Sequence, residues 1–346
     1  MQFKKVLSML LVCTLTLMGA FANGTQEGAT SKAVSSVGAS AGGVKRISIG
    51  TAGTAGSLYP MGVAMAETIT KHVEGISCTG EATAASVENI RNLTSGKLAM
   101  GISQSEIAYL AYNGLGDFQQ RKADDLRALF STINSYVQIF TLDGSSVNAI
   151  TDFKGKAIGV GSAGSGGEMC ARMILEYFGL TYNDIKPQFI PESEAVSALK
   201  DGKIDAFICT HPLKSAALMD LTTSTKVRMI SIKDDAFYKK FFFWTRYTIP
   251  AGTYENVNYP VDVPISRVNM LTSTKSGLTD DEVYNIVKSI WENRDEWSGV
   301  TNSVKNQVVW NSVITEVPVP LHPGAIRYYK EKGLPILDSL IPPESK

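Results

Sequence analysis

Cysteine and histidine are scarce in this sequence, four and three among 346 residues, and none of them stands in a CxxC or other metal-like spacing. That argues against a structural zinc site and a dithiol redox motif. Charge of one sign is also missing: 33 Lys and Arg balance 33 Asp and Glu, and the basic residues are scattered rather than gathered into a stripe. Such a chain has no electrostatic footprint for nucleic acid. Beyond residue 22 there is no apolar run long enough for the roughly 20 residues of a spanning helix. Phosphate-binding signatures are absent too. Gly50, Gly53 and Gly56 do not make GxGxxG, and no Gly-Lys-Ser/Thr occurs, so the chain carries neither a dinucleotide fingerprint nor a P-loop. We expect no cofactor and no bound metal.

What is present begins with an export signal. Lys4 and Lys5, the apolar stretch Val6 to Met18, and Ala20-Phe21-Ala22 form the charged, apolar and small-x-small regions of a secretory leader. The sequence predicts a leader over residues 1–22 and a flexible Gly/Ala/Ser/Thr tail over 23–43, with a periplasmic location. Cys13 offers an alternative, a lipid tether, although the residues after it stay apolar. Removing the leader leaves 31 basic and 33 acidic residues, a formal charge of −2. Cys78, Cys170 and Cys209 then remain, either as buried thiols or with one disulfide among them.

The next signal is a pair of strand, loop and helix units. Arg46-Ile47-Ser48-Ile49-Gly50 alternates as a short strand, Thr51 to Tyr59 is a loop of small residues, and Pro60 suits the first turn of a helix running on through Val73. In mid-chain, Lys156 to Gly161 reads as a strand, Ser162-Ala163-Gly164-Ser165-Gly166-Gly167 as a turn, and Glu168 to Phe178 as a helix stopped by Gly179. Each unit presents backbone N–H groups at a helix N-terminus, where free donors and the helix dipole attract carboxylates and phosphates. A fainter echo relates Leu93 to Ile102 with Leu199 to Ile208 through a shared Gly-Lys followed by an apolar strand. The strands of this echo end in Ser103-Gln104-Ser105 and in Thr210-His211, and ligands of open α/β sheets sit at the carboxyl ends of strands.

With these segments in view, the sequence resembles the TAXI branch of solute receptors serving tripartite ATP-independent periplasmic (TRAP) transporters. The likeness runs from Ile47 to about Leu334. It is carried by Gly50-Thr51-Ala52-Gly53-Thr54-Ala55-Gly56-Ser57-Leu58-Tyr59-Pro60, Ser86-Val87-Glu88-Asn89-Ile90, Gly101-Ile102-Ser103-Gln104, Val160 to Gly166, Ile249 to Tyr254, and Leu321 to Gly333. The resemblance implies a two-lobed α/β fold of the type II periplasmic-binding-protein kind, each lobe a sheet flanked by helices, with a ligand cleft between. Residues 44–137 with 255–346 would form one lobe and 138–254 the other, Gln138 to Leu142 being a candidate crossing strand. Thr279-Asp280-Asp281-Glu282 reads as a capping box for a scaffold helix.

Carried over by motif, the first lobe would bind ligand through Gly53, Thr54, Gly56, Ser57 and Tyr59, supported by Asn89 and Gln104. The second would use Ser162, Ser165, Gly166 and Gly167, with Thr210 beyond them. Ala52, Ala55 and Leu58 depart from the family's usual loop. The implied partners are a small anionic solute, glutamate or a 2-oxo dicarboxylate, and the TRAP membrane permease; the implied protein is not an enzyme. Two other readings stay open. An exported ligand-binding component of a sensory system would use the same module. An enzyme would need an acid/base set, for which Glu88, Glu168 and His211 are the nearest candidates. Phe241 to Trp244 reads as a core strand.

Overall fold

The computed structural model describes residues 43–346. The leader, Cys13 and the tail up to residue 42 lie outside the described residues. From there the chain builds two units of the same design. The first comprises β1 (Lys45–Gly50), α1 (Leu58–His72), β2 (Ile76–Glu81), α2 (Ser86–Thr94) and β3 (Met100–Gln104), followed by α3 (Ser105–Asn113). A long strand, β4 (Leu126–Leu142), leads to the second unit: β5 (Ala157–Gly159), α4 (Gly166–Tyr177), β6 (Lys186–Gln188), α5 (Glu192–Lys200), β7 (Ala206–His211) and α6 (Ala216–Ser224). β8 (Val227–Met229), α7 (Asp235–Lys240) and β9 (Thr245–Ile249) complete it. A second long strand, β10 (Val261–Ser273), runs back to α8 (Asp280–Glu292), α9 (Arg294–Trp297), α10 (Asn302–Gln307) and α11 (Pro323–Glu331).

The strands join in the order β2-β1-β3-β10-β4-β7-β5-β6. Both outer triads are parallel, as helical crossovers require, and both place their first strand in the middle. The fainter echo in the sequence is this repeat. Gly96 and Gly202 adopt left-handed φ of 73° and 66°, a region natural to glycine, and each turn feeds the third strand of its triad.

β4 and β10 tie the triads together. The N-terminal part of β4 pairs with β10, while Tyr136 to Thr141 pair with β7 and Phe140 to Leu142 with β8. β10 in turn meets β9 through Val261 to Ile265, and β3 through Val268 to Leu271. Gln138 to Leu142 is therefore the last stretch of a seventeen-residue strand. Apart from Asn134 and Leu142 its residues are all buried, the pattern of a strand covered on both faces.

Apolar packing follows the periodicities. Val283, Ile286, Val287 and Ile290 of α8 are fully buried, and α8 packs on α1 and α11. Its capping box forms: Glu282 N–H donates to Thr279 Oγ1 at 3.2 Å and Thr279 N–H to Glu282 Oε2 at 2.7 Å. Phe140, Phe207 and Tyr254 centre a smaller core in the second unit. Phe241 to Trp244 is not a strand. It is the turn after α7, with Trp244 buried and stacked on Phe237 at 5.5 Å while Phe242 is exposed. Four consecutive aromatics carry no alternation, and Lys239 and Lys240 before them close the short helix instead. Cys78, Cys170 and Cys209 are free and buried, and burial pushes the Cys78 thiol up to about 12.

Candidate functional site

The carboxyl ends of β1 and β3 face those of β5 and β7 across a cavity of about 180 Å³. With roughly 10–15 Å³ needed per water-sized group, this is room for a molecule of on the order of ten non-hydrogen atoms. Four helix N-termini converge on it: Ser57 and Leu58 at α1, Ala85 and Ser86 at α2, Ser165 to Gly167 at α4, and Pro191 to Ser193 at α5. The first N–H groups of each helix have no partner within the helix, so the wall is rich in donors and in the positive ends of dipoles. Among the described residues no lysine or arginine lines the cavity, and the one acidic residue there is Glu192.

On the first unit's side, the chain leaves β1 through Thr51, whose hydroxyl donates to Glu81 O at 2.6 Å. Gly53, Gly56 and Ser57 then line the cavity; Thr54 is exposed and Tyr59 half-buried, and neither reaches it. Tyr59 is the second residue of α1, so its N–H is among those with no partner in the helix, but the residue does not line the cavity. Asn89 does not line it either. Its Nδ2 donates to the carbonyls of Gly50, Thr51 and Ile102 at 3.2, 2.8 and 3.0 Å, fixing the strand ends from which the site loops spring. Gln104 does line the cavity, and it is held there: its N–H donates to Ser86 Oγ at 3.1 Å and its Nε2 to Ser135 Oγ at 3.2 Å. Ala85, also in the wall, holds a φ of 72°, an arrangement that costs a residue with a Cβ about 1–3 kcal/mol and is found where surroundings enforce it.

On the second side, Ser162, Ser165, Gly166, Gly167 and Thr210 all line the cavity. Ser165 caps α4, accepting from Glu168 N–H at 3.0 Å. Gly166 lies close against the first unit: a methyl group there would collide with Gln104 Oε1 and lie 2.6 Å from Ser86 Oγ. Residues unmarked by the sequence reading complete the wall. Asn134 and Ser135 are polar positions inside the long apolar strand β4, a legible signal. Pro191 and Glu192 announce a helix start, but only the fold turns that start toward the site. His211 stands at the rim, its Nε2 3.6 Å from Glu192 Oε2.

The acid/base candidates are dispersed. Glu88 accepts from Ala84 N–H at 2.7 Å and Glu168 from Tyr182 Oη at 2.7 Å, and neither lines the cavity that His211 borders. Arg246 lies over the Tyr238 ring at 4.7 Å and pairs with Asp235, whereas Arg91 borders a second, more open depression with Lys97, Arg121 and Glu88. Ala84 belongs to both concavities. Among the described residues there is no cluster of metal-ligating side chains, and no helix is long and apolar enough to cross a membrane.

Behind Gln104 lies a wholly buried carboxyl group, Glu106, whose Oε1 accepts from Gln104 Nε2 at 3.1 Å and Cys170 Sγ at 3.3 Å. Burial raises its pKa above the usual glutamate range, against the opposing pull of hydrogen bonds from Ser266 and Cys170. The native chain therefore keeps a proton that the unfolded chain releases near pH 4.3, so this group's contribution is full below that pH and is lost as pH rises through the raised native value. Glu106→Gln, which cannot ionise, is expected to gain stability relative to wild type between pH 5 and pH 8. Urea midpoints at the two pH values check this; an unchanged difference between the proteins would contradict it.

Two like-ordered α/β units, joined by two long strands and with a cavity at the carboxyl ends of their strands, are the fold of the two-lobed periplasmic binding proteins. The chain belongs to the NMT1-like family, whose model matches residues 49–333. Among solved structures, a Xanthomonas citri protein with ATP bound is 11% identical, with a TM-score of 0.50 over 83% of this chain and 94% of that one. The alkanesulfonate-binding protein SsuA from Xanthomonas axonopodis pv. citri, bound to MOPS, is 16% identical with a TM-score of 0.45, covering 86% and 96% of the two chains. The periplasmic aliphatic sulphonate-binding protein SsuA of Escherichia coli is 13% identical with a TM-score of 0.41, covering 85% and 90%.

Proposed function

We propose that this protein is an extracytoplasmic solute receptor that closes two lobes, 44–137 with 255–346 and 138–254, around a small carboxylate and passes it to the membrane permease of a TRAP transporter. The observation that carries the reading is the convergence of four helix N-termini on one cavity with no lysine or arginine among the described residues of its wall. Donors fixed in this way recognise an anion with little reorganisation, and contacts from both lobes make binding favour the closed form by differential affinity. Gly53, Gly56, Ser57 and Gln104 serve from one lobe, Ser162, Ser165, Gly166, Gly167 and Thr210 from the other. The exposed cations Arg91, Lys97 and Arg121 around the neighbouring depression raise the local concentration of an incoming anion. The cavity's size suits glutamate or a 2-oxo dicarboxylate. The choice of a TRAP permease as partner rests on the TAXI-like motifs from Gly50 to Pro60 and from Leu321 to Gly333.

Thermal melting of the exported chain against amino acids, organic acids and neutral sugars tests this. A carboxylate at about 100 times its Kd adds about 2.7 kcal/mol to the native state and raises Tm by several degrees, and it is recovered chemically unchanged. A shift with neutral sugars alone would overturn the anion reading, and turnover of the ligand would overturn pure binding.

A further inference from the structure

The one acidic side chain that lines the cavity among the described residues stands among donors. Glu192 is the first residue of α5, and its side chain is 8% exposed. Oε1 accepts from Ser215 Oγ at 3.0 Å. Oε2 is buried and has no hydrogen-bond partner among the described residues; His211 Nε2, at 3.6 Å, lies beyond hydrogen-bond reach. A buried carboxylate oxygen without a donor is costly, and this one belongs to a residue that lines a cavity sized for a small molecule.

We propose that Glu192 receives the ammonium group of the ligand, so that the site takes a 2-amino acid in preference to the 2-oxo acid of the same skeleton. This rests on the cavity being the binding site for a small carboxylate. The ligand's carboxylate goes to the helix N-termini of α1 and α4, away from Glu192, because two carboxylates side by side repel. Its ammonium supplies the missing donor to Oε2. A 2-oxo acid presents an acceptor at that point and leaves Oε2 unpaired, the kind of mismatch that costs a polar site far more than a change in apolar volume. A 2-hydroxy acid can donate one hydrogen bond without bringing charge, so it falls between the two. Besides the buried Cys209 thiol and the Tyr254 hydroxyl, His211 is a titratable group beside this carboxylate. It sits near Gly56, where a methyl would be 3.9 Å from its Cε1, and when protonated it competes with the ligand for Oε2.

Calorimetric titration of the exported chain with matched pairs decides the matter: alanine with pyruvate, leucine with 4-methyl-2-oxopentanoate, and glutamate with 2-oxoglutarate, adding 2-hydroxyglutarate. In any pair that binds, the amino member is expected to bind at least about 100-fold more tightly, consistent with the discrimination of sites built around a donor. Glu192→Gln is expected to bring the ratio within about tenfold, mainly by weakening the amino acid. Equal or tighter binding of the oxo members by wild type, or a ratio unchanged in Glu192→Gln, overturns this inference and leaves the carboxylate reading standing. Binding by no member of any pair overturns the carboxylate reading, and the ammonium site with it. The wild-type ratio decides even where the variant does not fold.

Discussion

Gly166→Ala is expected to weaken ligand binding by about 100-fold or more while leaving the ligand-free protein as stable as wild type or slightly more so. The two effects have opposite signs because they act on different states. Gly166 is the first residue of α4 and is not in the left-handed region, so alanine fits its backbone and improves the helix by up to about 1 kcal/mol. On the proposed reading, in which the lobes part without ligand, the added methyl matters only when they are together, where it meets Gln104 Oε1 and Ser86, both held in place by hydrogen bonds to one another. Overpacking of this kind costs about 1–3 kcal/mol or more. Apparent affinity falls in proportion to the fraction of molecules able to close.

Titration calorimetry and thermal melting of the same samples separate the two effects, and small-angle scattering with ligand shows whether the variant stays extended. Gly299→Ala serves as the control, since the residue does not line the cavity and its methyl would meet nothing within 4 Å. Wild-type affinity in Gly166→Ala would mean that the approach of Gly166 to Gln104 is not part of the bound state.

The doubling of the fold was legible because it is local. A short alternating strand, a loop of small residues and a capped helix are each specified within about twenty positions, and the unit occurs twice. What the local pattern could not fix was the span of β4, because Asn134-Ser135 reads as a break between two shorter stretches whereas the strand runs through it. Nine of the twelve nominated site residues line the cavity, and they are those on loops at strand ends. Thr54, on the loop, and Tyr59 and Asn89, inside α1 and α2, do not, because which of them turn toward the cavity depends on how the loop and helices pack, which the local pattern does not carry. Glu192 escaped notice for the converse reason. A glutamate after a proline at a helix start is explained by the dipole alone, and only the packing of α5 against β7 and α6 turns it into a cavity wall.

Asn89 supplies the other large effect. Asn89→Leu is expected to destabilise the protein by about 2–4 kcal/mol, because the carbonyls of Gly50, Thr51 and Ile102 lose a shared donor in a place water does not reach, that of Thr51 keeping a second one in Thr83 Oγ1 at 2.9 Å, and buried groups left unpaired cost about 1–3 kcal/mol each, reduced by relaxation. Asn89→Asp at neutral pH is expected to be worse than leucine. It sets a carboxylate among three carbonyl oxygens, and burial without a donor is harsher for a charge than for an apolar group. Urea unfolding of the ligand-free variants at constant m-value reads both effects. A residue that met the ligand directly would change affinity and leave the unfolding midpoint alone, so an unchanged midpoint in Asn89→Leu would return it to the binding surface. A shifted midpoint in both variants, larger for aspartate, would place Asn89 as the tether that holds the ends of β1 and β3 at the spacing the site loops need.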